Sequence, residues 1–347
     1  MPVRYDLELA RAARVVADSM CGIEPGESVL ITVDSTMDFR PVEEVAKAAE
    51  GAGGKVMVAW HSTPRGYGKV ADPQLPTPLK NAIPAADVWI EFNDQWLLYS
   101  TPWIEAMSNG RTRYLFLGGL DSARIVRCVA RLDMSLQEAF QNKVVELTER
   151  ASHMRVTTPA GTDVSFENVQ GRPITNELRA DTPGAHFLVG QIGWAPREES
   201  IEGTIVFDGS FSGGGDADLG ILTEPIVLGV EAGRIAEIGG GTQAAQMKAW
   251  LERLDDPGMY NLAHICYGFN PGSVLTGLCT EDERVWGSTE WGNGYLGPMF
   301  EGSLPEAASH GDGICLDSTV WLDDVPLLEE GRVVHPQLRD IAKAMGK

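Results

Sequence analysis

SVLITVDS (28–35), PVEEVAKAAEGAG (41–53) and KVMVAWHS (55–62) decide the fold of the first half of the chain. The outer two are apolar runs of strand length, rich in β-branched residues. The segment between them opens with Pro41 at a helical start and closes on glycine. Apolar runs without polar alternation are what strands buried on both faces look like. Strand, helix and strand in succession therefore predict a βαβ unit. The same alternation extends outward on both sides. Residues 5–20 carry Leu7, Leu9, Ala10, Ala13, Val15 and Val16 at positions compatible with a helix. PLKNAIPAADV (78–88) reads as a helix running into WIEFND (89–94), and RYLFLGG (113–119) as a further buried strand. This pattern predicts an α/β N-terminal domain, residues 1–150, with a mainly parallel sheet covered by helices.

SLQEAFQNKVVELTERASHM (135–154) has sustained helical periodicity, with Ser135 and Glu138 at capping-box spacing, and is read as the connector. After it the character changes. RVTTPAGTDVSFE (155–167) reads as a hairpin turning near Pro159–Gly161, and GTIVFDGS (203–210) and PIVLGVEAGRIAEIG (225–239) as strands joined by turns. GTQAAQMKAWLERLDD (241–256) is a helix pattern. From Met259 to about Val334 strands and long loops follow, before a short helix near 336–345. Residues 151–347 are thus expected to form a strand-rich α+β domain. SGGGDADLG (212–220) lacks the spacing of a phosphate loop and reads as a flexible loop.

The chain has 347 residues and a formal charge of −21. A surface so acidic disfavours nucleic acid and anionic membranes as partners. No stretch approaches the roughly 20 apolar residues of a membrane span, and the N-terminus lacks the apolar core of a signal peptide, so a cytoplasmic protein is expected. The five cysteines form no CxxC pair, which points to reduced, buried thiols rather than a disulfide framework or a thiol zinc site.

With six histidines in the chain, each can be weighed. His61, at a strand end, His153, at the end of the connecting helix, and His335, before the final helix, have nothing reactive near them in sequence. His310 and Asp312 differ. In SHGDG they stand two apart between glycines, and on an extended segment both point to one side. His264, in NLAHICYGFNPG, is the natural third donor. Two imidazoles and one carboxylate leave coordination positions open, the pattern of non-haem Fe(II) oxygenases. Zinc hydrolysis with the same donors is the competing chemistry, and a metal-dependent binding protein without turnover is a third reading.

The runs AHICYGFNPG (263–272), TEDERVWGSTEWGNGY (280–295) and HGDGICLDSTVWLD (310–323) resemble the 2,5-dihydroxypyridine 5,6-dioxygenases, which are related to the M29 metallo-aminopeptidases. REESIEGTIVFDGS (197–210) is similar to the stretch before the active site across the larger group. The resemblance implies Fe(II) held by His264, His310 and Asp312. It also implies opening of the hydroxypyridine ring between C5 and C6 by dioxygen, giving N-formylmaleamate. The peptidases carry glutamate where this chain has His264, and they hold two metals. Glu290 stands where much of the larger group has histidine, and is either a partner that orients a ligand imidazole or a plain surface or structural glutamate. The reaction needs a base near the substrate hydroxyl. His186, in DTPGAHFLVGQIGWAP, is the candidate, with Glu177 and Glu199 as weaker ones. Trp194, Trp291, Tyr295 and Trp103 are candidates for stacking a flat heterocycle. LLYSTPWIEA (97–106), where a loop over the site is expected, contains no histidine. Relatives imply a homo-oligomer.

Overall fold

The computed structural model describes residues 5–214 and 217–347. Residues 1–4 of the amphipathic N-terminal pattern, and Gly215 and Asp216 of the glycine cluster, lie outside the described residues. The contacts divide the chain into two compact units, one of residues 1–134 and 177–189, the other of residues 135–176 and 190–347. Relative to a single cut at residue 150, two segments change sides. The helix Met134–Arg150 belongs, from Ser135 onward, with the second unit, and Glu177–Val189 returns to the first.

That return has a structural cause. In the first unit β1 (Ser28–Asp34), β2 (Lys55–His61), β3 (Val88–Glu91) and β4 (Arg113–Phe116) pair in parallel in the order β2-β1-β3-β4. The later strand β8 (Gly184–Phe187) adds to β4, also in parallel. The central strands read as unbroken apolar runs because both faces are covered: Val29, Ile31, Val33, Val88 and Ile90 are all buried. The helix Phe39–Gly51 begins two residues before Pro41. Asp38 caps it, its side chain accepting from the amide of Arg40. At the sheet edge β2 is more open, and Met57 and Trp60 face solvent.

The second unit holds two antiparallel sheets. The larger combines β5 (His153–Thr157), β6 (Asp163–Glu167), β10 (Glu202–Phe207), β13 (Ile226–Glu231), β14 (Arg234–Gly240), β18 (Thr319–Leu322), β19 (Val325–Glu329) and β20 (Arg332–Val333). Its order is β14-β13-β10-β6-β5-β18-β19-β20. The other combines β7 (Thr175–Asn176), β9 (Gln191–Trp194), β11 (Ser210–Ser212), β12 (Asp218–Ile221), β15 (Leu262–Gly268), β16 (Thr289–Gly294) and β17 (His310–Cys315). Its order is β12-β11-β17-β16-β15-β9-β7. Val156, Phe166, Ile205 and Leu228 of the larger sheet share one apolar core with Ile265, Tyr267, Phe211 and Trp291 of the other. Phe166 meets Trp291 edge-on, with ring centroids 5.5 Å apart. Face-to-face packing of this kind gives each strand one apolar face and frees the other for chemistry.

The hairpin expected near 155–167 is β5–β6, and the turn near 231–233 joins β13 to β14. His153 was expected at a helix terminus, but the helix ends at Arg150 and His153 opens β5. Among the described residues no helix is long and apolar enough to cross a membrane.

Candidate metal centre

Three adjacent strands of the smaller sheet carry the candidate donors. His264 on β15 lies opposite Gly292 on β16, and Gly292 lies opposite Asp312 on β17. One rung along, Cys266 faces Glu290, and Glu290 faces Ile314. Directly opposed residues of antiparallel strands point to one face, so His264, Cys266, Glu290, His310 and Asp312 share a face. Ile265, Tyr267 and Trp291 point the other way, into the core. The register shifts between Leu262 and His264. That irregularity lets Leu262 remain in the core while His264 turns to the polar side.

The donor atoms of His264, His310 and Asp312 all lie within 4.8 Å of one another. His310 Nε2 is 2.8 Å from Asp312 Oδ1, and His264 Nε2 is 3.7 Å from the same oxygen. The other ring nitrogen of His310 donates to the carbonyl of Tyr295 at 2.6 Å. That bond fixes the tautomer and leaves Nε2 for the cluster. The imidazoles of His264 and His310 stack at 5.0 Å, and Phe300 covers the other side of His264 at 4.9 Å. Burial opposes charge on His310, yet the adjacent Asp312 carboxylate wins and holds its pKa above the ordinary value. Burial, helped by the neighbouring His310 cation, pulls His264 down to about 4. His264 is thus the neutral imidazole of the pair, and a metal bound at His310 Nε2 would displace the proton that Asp312 favours there.

A polar layer stands behind these groups. Glu290 Oε1 is 2.9 Å from His264 Nε2, and its Oε2 accepts from Gln191 Nε2 at 3.1 Å. Gln191 also donates to Glu283 Oε2, at 3.1 Å, and accepts from Arg284 at 2.8 Å. Arg284 is itself buried and bonded to Glu283. Cys279 donates its thiol to Glu283 at 2.7 Å. Burial raises the pKa of Glu290, and the Glu283 carboxylate raises it further.

The donor chemistry fits a divalent metal. Two nitrogens and a carboxylate oxygen converge on one point, in a wall of the fold that excludes much of the solvent. The cradle is also cut to size. A Cβ on Gly292 would stand 2.4 Å from His264 Cε1 and 2.6 Å from Nδ1. A Cβ on Gly193 would stand 2.6 Å from Cys266 Sγ. Glycine at both positions lets the side chains on β15 lie flat against the neighbouring strands.

The remaining sequence candidates are placed elsewhere. Trp291 is fully buried in the core on the opposite face of β16, because it alternates with Glu290 and Gly292. Trp194 packs on Tyr267 and donates to Asn168. Both are core residues rather than stacking platforms. Glu199 is exposed in a short 3₁₀ turn, while its neighbour Glu198 is buried against Arg172 at 3.1 Å. Tyr295 contributes its carbonyl to His310. His186, Glu177 and Trp103 belong to the first unit. His186 Nε2 meets the carbonyl of Thr182 at 2.8 Å, and Glu177 accepts from the amide of Phe187 at 3.0 Å. Trp103 lies edge-on to Tyr99 and Tyr114. Gln191, Cys266, Gly292 and Phe300 escaped the sequence reading. Only Gly292 left a signal, as the glycine of TEWGNG two residues after Glu290.

A family model described as 2,5-dihydroxypyridine 5,6-dioxygenase (NicX) matches residues 13–335. A 2,5-dihydroxypyridine 5,6-dioxygenase of Pseudomonas putida is 29% identical over 206 residues, 55% of this chain and 57% of the relative's length. The match thus spans little more than half of that relative. The solved structure of 2,5-dihydroxypyridine dioxygenase from Pseudomonas putida KT2440 superposes with a TM-score of 0.76 at 21% identity, over 97% of this chain and all of the other. Wild-type AmpT from Thermus thermophilus superposes with a TM-score of 0.71 at 17% identity, over 95% of this chain and all of the other. At these identities the two structures show a shared fold. The family match, which runs through both units and across the whole candidate centre, establishes that the chain belongs to the 2,5-dihydroxypyridine 5,6-dioxygenase family.

Proposed function

We propose that the protein is a dioxygenase that opens the ring of 2,5-dihydroxypyridine, or of a close hydroxypyridine analogue, between C5 and C6. The single metal is Fe(II), held by His264, His310 and Asp312. The observation that carries this reading is the convergence of two imidazoles and one carboxylate from the two strands that flank β16, with no more than 4.8 Å between their donor atoms. Three protein donors leave open positions on a six-coordinate ion, which is what a reaction between two small molecules requires. When bound, Fe(II) supplies the one-electron chemistry that ground-state dioxygen needs to react with a closed-shell ring. Both oxygen atoms enter the product, N-formylmaleamate, so no further reductant is consumed.

The protein's own work is to hold, orient and desolvate. The Tyr295 carbonyl locks the His310 tautomer, burial keeps His264 neutral, and Phe300 shields its ring. His186 is proposed as the proton acceptor on the sequence alone, from the likeness to the family of the segment that follows it. Glu177 supports it by fixing the amide of Phe187, the residue after His186 on β8. The experiment is oxygen uptake measured together with loss of 2,5-dihydroxypyridine absorbance in iron-replete protein. One dioxygen consumed per ring opened is expected. Undiminished substrate loss under anaerobic conditions would overturn the proposal.

A further inference from the structure

We infer that Glu283 is the residue that selects the substrate: its Oε1 accepts the donor on the N1–C2 edge of the hydroxypyridine, and its charge turns away rings that carry a carboxylate there. This rests on the function proposed above and narrows its substrate class. The key observation is a second cluster that shares Asp312 with the metal donors. Cys279 Sγ, a carboxylate oxygen of Glu283 and one of Asp312 lie within 4.8 Å of one another. Cys279 opens the short helix Cys279–Asp282, and the amide of Glu283 still donates to the Cys279 carbonyl. Four apart on a helical turn, the two side chains fall on one side. Arg284, one residue on, is buried.

Hydrogen bonding distinguishes the two oxygens of Glu283. Oε2 accepts from Gln191 Nε2 at 3.1 Å and from Arg284 Nη1 at 2.8 Å, which occupies both of its lone pairs. Oε1 takes the Cys279 thiol at 2.7 Å, a weak donor, and has a second lone pair for a stronger one. The Glu283 side chain is 15% exposed, whereas that of Glu290 is 0% exposed, so Glu283 is the one that a ligand reaches. Its place is fixed from behind by Arg284 and Gln191, and it stands outside the set His264, His310 and Asp312.

2,5-Dihydroxypyridine carries one donor on its N1–C2 edge in either tautomer, N–H as the pyridone or O–H as the hydroxypyridine. A hydrogen bond from that edge to an ionised carboxylate is of the strong, charge-assisted kind. With Asp312 a neighbour of both the metal and Glu283, a single ring is long enough to touch the two at once. A carboxylate on C6, beside N1, has the opposite fate. It would stand against the Glu283 charge, and the Arg284 guanidinium is already committed to Glu283, Gln191 and the Thr280 carbonyl. Like charges in a partly buried wall repel more strongly than in water.

The test is anaerobic titration of the Fe(II)-loaded, full-length protein and of Glu283→Gln with three rings. These are 2,5-dihydroxypyridine, its 6-carboxylate, and phenol, which keeps one hydroxyl but has no donor on the edge in question. Metal affinity is read separately, by competition with a chelator, and is expected to be that of wild type in the variant. Glu283→Gln is expected to bind 2,5-dihydroxypyridine about 10- to 100-fold more weakly, the range for a hydrogen bond to a charged group, and phenol almost as wild type does. Wild type is expected to bind the 6-carboxylate at least about 10-fold more weakly than the parent ring, and the variant to narrow that gap. Wild-type affinity for 2,5-dihydroxypyridine in Glu283→Gln would overturn the inference. So would an equal loss for phenol, or a loss of metal affinity, since either marks a residue that only shapes the site. Should the variant not fold, wild type decides: equal affinity for the parent ring and its 6-carboxylate would overturn the inference, and the expected gap would support it. If loaded wild type binds none of the three rings, the proposed function itself fails and Glu283 falls with it.

Discussion

Gly292 and His264 face each other across β15 and β16, and the imidazole occupies the space where any larger residue would place its Cβ. A methyl group at Gly292 would come within 2.4 to 2.9 Å of three ring atoms of His264. Overpacking of this kind costs about 1–3 kcal/mol when the neighbours can move. Here the movable neighbour is a metal donor. Gly292→Ala is expected to leave the protein folded but to lower metal affinity about 10-fold or more, measured by chelator competition. Unchanged affinity would show that the ring is not seated as described.

His310→Ala and Asp312→Ala each remove one of the converging donors. Each variant is expected to emerge from purification without metal and without turnover, while circular dichroism stays that of the wild type. His310 and Asp312 are both only half-buried, so the groups left behind by either truncation can reach water and the fold tolerates both. Retention of metal by either variant would contradict the ligand assignment.

His186→Ala separates base from ligand. It is expected to retain metal fully and to slow turnover by about 100-fold, the lower end of what a positioned general base contributes. Loss of metal in this variant would mean that the role has been misassigned.

Trp291 tests the direction of the strand. Its side chain fills the core against Phe166, so Trp291→Leu is expected to lower stability by about 3 kcal/mol in urea denaturation. KM for the hydroxypyridine should not move. A raised KM with unchanged stability would put the indole against substrate instead.

Glu91 carries a pH dependence of its own in the first unit. Its buried carboxylate accepts from Leu97 N and Tyr114 Oη, each at 2.5 Å, and from Asn93 Nδ2 at 3.0 Å. Burial outweighs these bonds and pushes its pKa from 4.5 to about 7. Between those values the folded state binds the extra proton, so stability falls as pH rises through the window. The full cost, about 3 kcal/mol, is present above it. Glu91→Gln keeps an acceptor for Leu97 and Asn93 and removes the titration. The stability of wild type relative to this variant is expected to drop between about pH 5 and pH 8. Parallel stability curves would contradict it.

The α/β half was legible because β1 and β3 are buried on both faces and announce themselves as apolar runs, with a capped helix between the first two strands. The pair His310 and Asp312 was legible because a strand repeats every second residue. The partners of that pair were not, since strand pairing is long-range: nothing local says that Gly292 sits between His264 and Asp312. The same limit hid Gln191, which reaches Glu283 and Glu290 from another strand, 92 and 99 residues away in sequence. It also made Trp291 look available, when its neighbours on β16 already fix its side to the core. The return of β8 to the first sheet was hidden likewise, because the segment reads as a short, unremarkable run.

The central claim is one iron at one site. Metal content per chain, measured on protein purified without oxygen and with native metal retained, tests it most directly. One iron per folded chain, lost in Asp312→Ala, is the result expected. Two zinc ions per chain, with release of amino acids from short peptides and no oxygen uptake, would contradict it.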